Sequence, residues 1–266
     1  MDKKYDIRND IFETIIDKYY DAKLIAEDNG VISGSEAALD RLKSLGIEIL
    51  FMVNEGSIVN KGEVVAHIRA TPELLAKAEE FLAGKFSKTS GIATAAYKAS
   101  QIAKGRIKIV CGSIKKIPEE CKFIYRKAIE TGGISSRICD TPFLYLDKNY
   151  IKMFGGIPQT LKAVKKFEGF KKVIQIHNTM TSVEEEVEQA VTYGADILMI
   201  DTGIDDDIDK CFSVLKELNV NDKIVAFSGN VKLDRIEFYI DKRVDILCIG
   251  KEIIDARMLD MRFDVF

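Results

Sequence analysis

Hydrophobic positions in the second half of the chain fall into short runs, separated by stretches with the periodicity of amphipathic helices. Each run ends in a polar loop, and this alternation predicts a parallel sheet built from strand and helix units. The predicted strands are 107–111, 143–146, 173–176, 197–200, 224–227 and 246–249, and the predicted helices are 118–131, 158–167, 182–193, 207–218 and 231–241. Because a closed barrel of this kind needs eight units, six units predict an open barrel.

The chain before residue 106 lacks this alternation and predicts a separate α/β domain around a small antiparallel sheet. We expect a boundary between residues 1–105 and 106–266. The predicted elements are a helix at 10–20, a strand at 23–33 with a turn at Asp28-Asn29-Gly30, a helix at 35–45 capped by Ser35, strands at 48–53 and 62–70, and a long helix at 72–103 with an interruption near Ser90-Gly91.

Polar residues follow each of the six predicted barrel strands. In a parallel sheet the carboxyl ends of the strands meet at one edge, where binding and catalytic residues collect. The six ends are Gly112-Ser113-Ile114-Lys115, Asp147-Lys148-Asn149, His177-Asn178, Asp201-Thr202-Gly203, Ser228-Gly229-Asn230 and Gly250-Lys251. Cations, carboxylates and hydroxyl groups on one rim predict a pocket for a phosphorylated, hydroxyl-rich ligand.

The loop Ser228-Gly229-Asn230 is the strongest single candidate for an anion site. It follows a buried strand and precedes a predicted helix, whose N-terminal N–H groups would face the same ligand. A tight turn with an N-cap is the alternative interpretation. Gly250, with Lys251 after it, ends the next strand, so we predict that phosphate or sulfate binds to both loops together.

Composition narrows the class of protein. The 266 residues are 47% hydrophobic and carry a formal charge of -3, which argues against a nucleic-acid partner held by bulk electrostatics. The five cysteines show no paired metal-ligand spacing, so we expect reduced thiols and a cytoplasmic protein. No stretch is apolar and long enough to predict a membrane span.

A few residues allow two interpretations. His177 is either a ligand-binding group or a structural histidine, and the run 205–207 either binds Mg²⁺ beside Asp201 or supplies charge to the first turn of a helix. The run 184–186 is interpreted as a solvated helix face that also supplies negative charge to the first turn of the helix. Phe86 and Tyr97 have helical spacing and are expected in the core or in a dimer contact.

Short motifs spread over most of the chain resemble the quinolinate phosphoribosyltransferase family, also called carboxylating nicotinate-nucleotide pyrophosphorylases. Their order and spacing carry the resemblance more than any one of them. They are EDNGVISG at 27–34, SGIAT at 90–94, KKIP at 115–118, a GG pair before Arg137, GADILMIDTG at 194–203, FSGN at 227–230, VDILCIG at 244–250 and LDMRF at 259–263.

The resemblance implies an N-terminal α/β sandwich domain and an open six-stranded (β/α) barrel. It implies transfer of a phosphoribosyl group from 5-phosphoribosyl 1-diphosphate (PRPP) to an aromatic ring nitrogen, with Mg²⁺ as cofactor. It also implies a homodimer with shared sites, in which residues 79–90 of one subunit approach the other subunit's barrel.

Carried over residue by residue, the resemblance gives three sets of candidates. The catalytic candidates are Asp201, Lys115 and Gln175, and Asp201 is also the metal candidate. The substrate and phosphate candidates are Arg137, Lys148, Ser228, Gly229, Asn230, Gly250, Lys251 and His177.

Several family positions carry a different residue in this chain. Family arginines correspond to Glu80, Ile114 and Cys121, a histidine to Ser136, a lysine to Asp147 and a glutamate to Gln175. Quinolinate carries two carboxylates, and each needs a fixed cation in a dry pocket.

These differences predict one of two functions. The first is a phosphoribosyltransferase acting on a base with fewer carboxylates, such as a nicotinate-like acid, or the reverse pyrophosphorolysis of its nucleotide. The alternative is a non-catalytic member that binds a phosphorylated ligand or nucleotide as a sensor or partner protein. Tight PRPP binding without turnover would favour the second function.

Overall fold

The computed structural model describes residues 6–266, and its contacts divide the chain into two compact units. The first unit comprises residues up to Tyr97, Pro118–Gly133 and Asp255–Phe266, and the second comprises Lys98–Ile117 and Ile134–Ile254. This division differs from a single boundary after residue 105. The segments Pro118–Gly133 and Asp255–Phe266 belong to the N-terminal unit because they contact residues that are far from them in sequence.

The strands of the described residues are β1 (Tyr20–Ala26), β2 (Gly30–Val31), β3 (Glu48–Met52), β4 (Ile58–Val59), β5 (Val64–Ala70), β6 (Lys108–Val110), β7 (Phe143–Leu146), β8 (Lys171–Ile176), β9 (Ile197–Ile200), β10 (Ile224–Phe227), β11 (Ile246–Cys248) and β12 (Met261–Val265). The helices are α1 (Arg8–Ile11), α2 (Ser35–Ser44), α3 (Pro72–Ala103), α4 (Glu119–Thr131), α5 (Lys148–Phe154), α6 (Ile157–Val164), α7 (Val183–Thr192), α8 (Asp206–Glu217), α9 (Ile236–Asp241) and α10 (Lys251–Ile254). None of these helices combines the length and hydropathy that crossing a bilayer requires.

The N-terminal unit contains a four-stranded sheet in the order β12-β1-β5-β3, with antiparallel pairing throughout. Its inner face packs on a buried cluster that includes Leu24, Ile68 and Phe86, which confirms Phe86 as a core residue. A second sheet pairs β2 with β4. The small antiparallel sheet was predicted, but the edge strand β12 was not.

Two predictions near the start of this unit are wrong. The chain forms only short helical segments before β1, at Arg8–Ile11 and Glu13–Ile15. Gly34, not Ser35, is the N-cap of α2, and the Glu55 carboxylate accepts from the backbone N–H groups of Gly34 and Ser35 at 2.9 Å. An acidic side chain at a helix N-terminus satisfies free N–H groups and the helix dipole together.

Helix α3 also runs without the expected interruption at Gly91. A Cβ atom at this position would lie 2.1 Å from the Arg257 carbonyl oxygen. Gly91 is therefore explained by the close approach of another backbone segment of the same unit, and it does not mark a break in the helix.

The second unit contains a six-stranded parallel sheet in the order β6-β11-β10-β9-β8-β7. Pairing is in register along the sheet, for example Phe227 with Ile200 and Gln175 with Met199. Strands β6 and β7 are the two edges and do not pair with each other, so the sheet is an open barrel. Its interior is filled by a buried cluster that includes Val173, Ile197 and Ala226. The predicted fold class is confirmed.

Two helices at the carboxyl edge of this sheet differ from prediction. The segment after β7 was expected to be a loop but forms α5, and Asp147 caps it by accepting from the N–H groups of Asn149 and Tyr150. After β10, the predicted helix at 231–241 is replaced by a 3-10 turn at Leu233–Arg235 and the short helix α9. The loop after β10 is therefore not followed directly by a helix N-terminus.

Candidate active site

A cavity of about 550 Å³ lies at the carboxyl edge of the barrel sheet, within the second unit. It is lined by Val110, Cys111, Gly112, Ser113, Lys115, Lys116, Ser136, Arg137, Ile138, Phe143, Tyr145, Asp147, Met199, Asp201, Ser228, Gly229, Asn230, Val231, Cys248, Gly250 and Lys251. Residues from the ends of five of the six strands therefore meet here. The predicted candidates Lys115, Arg137, Asp201, Ser228, Gly229, Asn230, Gly250 and Lys251 are all among them.

Asp201 is held in place by two side chains from neighbouring strands. The Gln175 amide donates to one carboxylate oxygen and the Ser228 hydroxyl donates to the other. The Gln175 side-chain oxygen in turn accepts from the Lys148 backbone N–H at 2.7 Å. Because each contact fixes the next, the carboxylate has one orientation at the edge of the cavity, and the Ser228 hydroxyl is already engaged in holding it.

Gly229 is required by a neighbouring loop. Its backbone adopts φ 116°, and a Cβ atom there would lie 2.4 Å from Gly203 Cα and 2.5 Å from Gly203 N. Side chains rarely tolerate this backbone conformation. The loops after β9 and β10 therefore pack backbone against backbone, and this packing places Asp201 next to Ser228.

Gly250 is in close contact with a side chain of a different loop. A Cβ atom at Gly250 would lie 2.0 Å from Ser113 Oγ. Next to it, the Gly112 N–H donates to Cys248 Sγ at 3.3 Å. These contacts pack the loops after β6 and β11 together, which brings Lys115 and Lys251 to the same rim.

The cavity has an apolar floor and a cationic rim. Phe143, Tyr145, Met199 and Cys248 come from strands and form part of the floor, together with Val110 and Ile138. The rim carries four cationic side chains, Lys115, Lys116, Arg137 and Lys251, against two carboxylates, Asp147 and Asp201. A ligand with an apolar ring at one end and anionic groups at the other matches this division.

Arg137 lies between the two regions. Its guanidinium carbon is 5.4 Å from the centre of the Phe143 ring, a cation–π arrangement. The Ser135 hydroxyl accepts from the Arg137 N–H at 3.0 Å and donates to the Arg137 carbonyl at 2.9 Å, which fixes the local backbone. The guanidinium is therefore available to an anionic group attached to a ring on the floor.

Three predicted candidates do not line the cavity and instead support it. Gln175 is buried beneath Asp201. The Lys148 ammonium lies 3.3 Å from His177 Nε2, and His177 Nδ1 is buried without a partner among the described residues. Lys148 and His177 therefore contact each other outside the lining, and their predicted role in phosphate binding stays a prediction.

The loop that carries His177 is held by a buried carboxylate. Glu186, on α7, accepts from the backbone N–H groups of His177, Asn178 and Thr179 at 2.8, 3.0 and 3.0 Å. Only 4% of Glu186 is exposed, so the interpretation of 184–186 as a solvated face is wrong for this residue. Several charge-assisted hydrogen bonds to one buried carboxylate stabilise a loop strongly.

The alternative magnesium site at 205–207 is not supported by the geometry. The Asp205 carboxylate accepts from Arg235 and from the Tyr239 hydroxyl, each at 2.8 Å, and buried Asp207 pairs with Lys210. No residue of the run lines the cavity. Throughout residues 6–266, no group of three or more His, Cys, Asp or Glu side chains is arranged to hold a metal ion.

Four of the six family differences, at Glu80, Ile114, Cys121 and Gln175, lie outside the cavity lining. Ile114 is buried and is not among the lining residues, although Lys115 next to it is. Glu80 is on α3 in the N-terminal unit, where its exposed carboxylate accepts from Arg8 at 3.0 Å. The expected homodimer, in which this part of α3 approaches a second subunit's site, stays a prediction.

All five cysteines are free thiols. Burial raises the pKa of Cys248 to about 12 and that of Cys111 to about 11. Both thiols therefore stay protonated near neutral pH, and they act as small apolar groups in the cavity wall.

Sequence reasoning missed Tyr145 and the other floor residues. Tyr145 and Phe143 lie two positions apart on β7, so both side chains are on the same face of the strand. That alternation was the available signal. The candidate site residues were predicted from the positions after each strand, so residues within β7 were not among them.

Comparisons with known proteins agree with this architecture. The sequence model of the quinolinate phosphoribosyl transferase C-terminal domain family matches residues 92–264, and that of the N-terminal domain family matches residues 6–90. A probable carboxylating nicotinate-nucleotide pyrophosphorylase from Methanothermobacter thermautotrophicus is 23% identical over 92% of this chain and 88% of its own length. The human carboxylating nicotinate-nucleotide pyrophosphorylase is 25% identical over 92% of this chain and 82% of its own.

Solved structures show the same fold. The nicotinate-nucleotide pyrophosphorylase from Ehrlichia chaffeensis superimposes with a TM-score of 0.84, at 18% identity, over 100% of this chain and 94% of its own. The two domain models together span nearly all of the described residues. The chain therefore belongs to the quinolinate phosphoribosyl transferase family.

Proposed function

We propose that this chain transfers the phosphoribosyl group of PRPP to the ring nitrogen of an aromatic monocarboxylic acid of the nicotinate type and releases pyrophosphate. The observation that carries the proposal is the cavity itself, whose lining combines Asp201 with four cationic side chains and with apolar and aromatic residues. Family membership supports the class of reaction. The choice of acceptor rests on the charges that line the cavity.

The negative charge of the PRPP phosphate groups complements the positive charge of the rim. Lys115, Lys116 and Lys251 provide positive charge, and the loop Ser228–Asn230 provides backbone next to it. Ammonium groups bind phosphate as point charges without demanding one geometry. We assign the pyrophosphate and the 5-phosphate to these groups.

We assign to Asp201 the stabilisation of positive charge on C1, the reacting carbon of the ribose. As the bond between C1 and the pyrophosphate oxygen breaks, the electron pair leaves with pyrophosphate and C1 becomes positively charged. The ring nitrogen then donates its lone pair to form the new bond to C1. A carboxylate already fixed by Gln175 and Ser228 stabilises that charge without reorganising.

Mg²⁺ is proposed as a cofactor bound with the substrate. Mg²⁺ in phosphate-transferring sites is commonly held by one or two carboxylates together with substrate phosphates and water. Asp201 fits that role as the protein's ligand, because its carboxylate lines the cavity and has no cationic partner among residues 6–266. When bound, the ion neutralises charge on the departing pyrophosphate.

The acceptor is proposed to carry one carboxylate because the cavity has few cations left for a second. Arg137 stands over the Phe143 ring, where a carboxylate on a bound aromatic ring would meet it. The lysines are assigned to phosphates, and Asp147 adds negative charge to the lining. A second carboxylate would therefore be desolvated without a partner, which costs several kcal/mol.

Incubation of the protein with PRPP, Mg²⁺ and single ring acids tests the proposal. Mononucleotide and pyrophosphate are measured for nicotinate, quinolinate and benzoate, which lacks the ring nitrogen. We expect product from nicotinate, much less from quinolinate and none from benzoate. Efficient turnover of quinolinate would refute the assignment of one carboxylate, and PRPP binding without any product would favour a sensor function.

A further inference from the structure

The floor of the cavity contains a hydroxyl group whose hydrogen-bonding capacity is not used by the protein. Tyr145 lies in β7 and lines the floor with Phe143, Met199 and Cys248. No hydrogen bond joins its hydroxyl to another residue within the described range 6–266. Tyr145 is half-buried, a phenol in such a position usually has a partner for its O–H group, and here the adjacent space is the cavity.

The phenol keeps its proton in this position. Burial, and then the negative charge of Asp201, raise the pKa of Tyr145 well above its ordinary value. Because Asp147 acts in the same direction, the hydroxyl stays neutral and stays a donor across the physiological range.

The rest of the floor offers no comparable group. Phe143 and Met199 are apolar, and the Cys248 thiol is a weak donor that already accepts from the Gly112 N–H. An aromatic ring bound against the floor therefore meets one strong hydrogen-bond donor, on a side chain that belongs to a strand and not to a loop.

We propose that Tyr145 determines specificity for the acceptor by donating a hydrogen bond to an oxygen atom of the group attached to the bound ring. This inference rests on the proposed function, since it names the group that recognises the ring in the same site. A polar site of this kind rejects analogues without the matching acceptor, because their binding leaves the hydroxyl unpaired.

The test compares Tyr145→Phe with the unmodified protein by calorimetric titration. The probes are nicotinate mononucleotide, which carries a ring, and ribose 5-phosphate, which does not. We expect Tyr145→Phe to weaken the mononucleotide about tenfold, equivalent to about 1.4 kcal/mol, and to leave ribose 5-phosphate unchanged. Tyr150→Phe is the matched control, since Tyr150 is 46% exposed and outside the lining.

Each other outcome has a defined meaning. Unchanged mononucleotide affinity in Tyr145→Phe would overturn the inference and leave the proposed function standing. An equal loss for both probes would also overturn it, because the residue would then act through the structure of the whole cavity. If the unmodified protein binds neither probe, the proposed function fails, and the inference fails with it.

Discussion

Substitution of Gly229 by alanine tests how the cavity is built. The residue has φ 116°, and the added Cβ atom would lie 2.4 Å from Gly203 Cα. The neighbour is backbone, so it cannot move aside by changing rotamer. The loops after β9 and β10 would have to separate, and Asp201 and Ser228 would separate with them.

The magnitude has two parts. A side chain at a left-handed backbone position costs on the order of 1–3 kcal/mol. Overpacking against a fixed neighbour costs about 1–3 kcal/mol more. Gly194 provides the control, since it has φ 90° and no atom within 4 Å of its added Cβ. Gly194→Ala therefore has only the cost of the backbone conformation and not the cost of overpacking.

The assay is thermal unfolding combined with titration of PRPP into each variant. We expect Gly229→Ala to lose about 1–3 kcal/mol more stability than Gly194→Ala, and its PRPP affinity to fall at least about tenfold. Gly194→Ala should retain full PRPP affinity. Equal destabilisation, or unchanged PRPP binding in Gly229→Ala, would refute the reasoning that this contact forms the site.

Three further predictions follow from the same geometry. Asp201→Asn is expected to lower nucleotide formation roughly 100-fold or more, with its melting temperature nearly unchanged, as measured by product assay and calorimetry. Glu186→Gln should destabilise the protein by about 2–3 kcal/mol, whereas Glu188→Gln on the exposed side of α7 should have little effect in chemical denaturation. Because burial raises the pKa of Cys248 to about 12, its alkylation at pH 8 should be far slower than that of Cys121 and should accelerate as pH rises, and similar rates in mass spectrometry would contradict the structure.

The barrel could be predicted because each strand contains a short, mainly apolar run. Parallel strands such as β9 are buried on both faces, so their sequence signal is strong and local. Strand β12 gave no such signal. It is a short edge strand of mixed polarity, and its pairing with β1 joins opposite ends of the chain.

The site was only partly predictable for a related reason. Residues after strands, such as Asp201 and Ser228, could be placed on one edge from topology alone. The bond between them could not, because it depends on the contact of Gly229 with Gly203. Phosphate binding by Gly229 stays a prediction, and the structure adds a separate reason for glycine at this position, the contact with Gly203.

Glu186 illustrates a signal that was present in the sequence but not used. Val183, Glu186, Val187 and Ala190 have the spacing of one buried helix face, and all are buried in α7. Because Glu186 lies in a run of three glutamates, the whole run was interpreted as exposed. A charged residue on an apolar face needs partners, and the N–H groups of the preceding loop supply them.

A single-turnover experiment with PRPP and nicotinate tests the central claim most directly, because it separates binding from chemistry. Protein in excess over PRPP is mixed with nicotinate and Mg²⁺, and mononucleotide and pyrophosphate are followed over time. We expect both products to appear together in equal amounts, and we expect Asp201→Asn to bind PRPP but to form product far more slowly. Tight PRPP binding by the unmodified chain without any nucleotide, for nicotinate and for every other ring acid supplied, would contradict it.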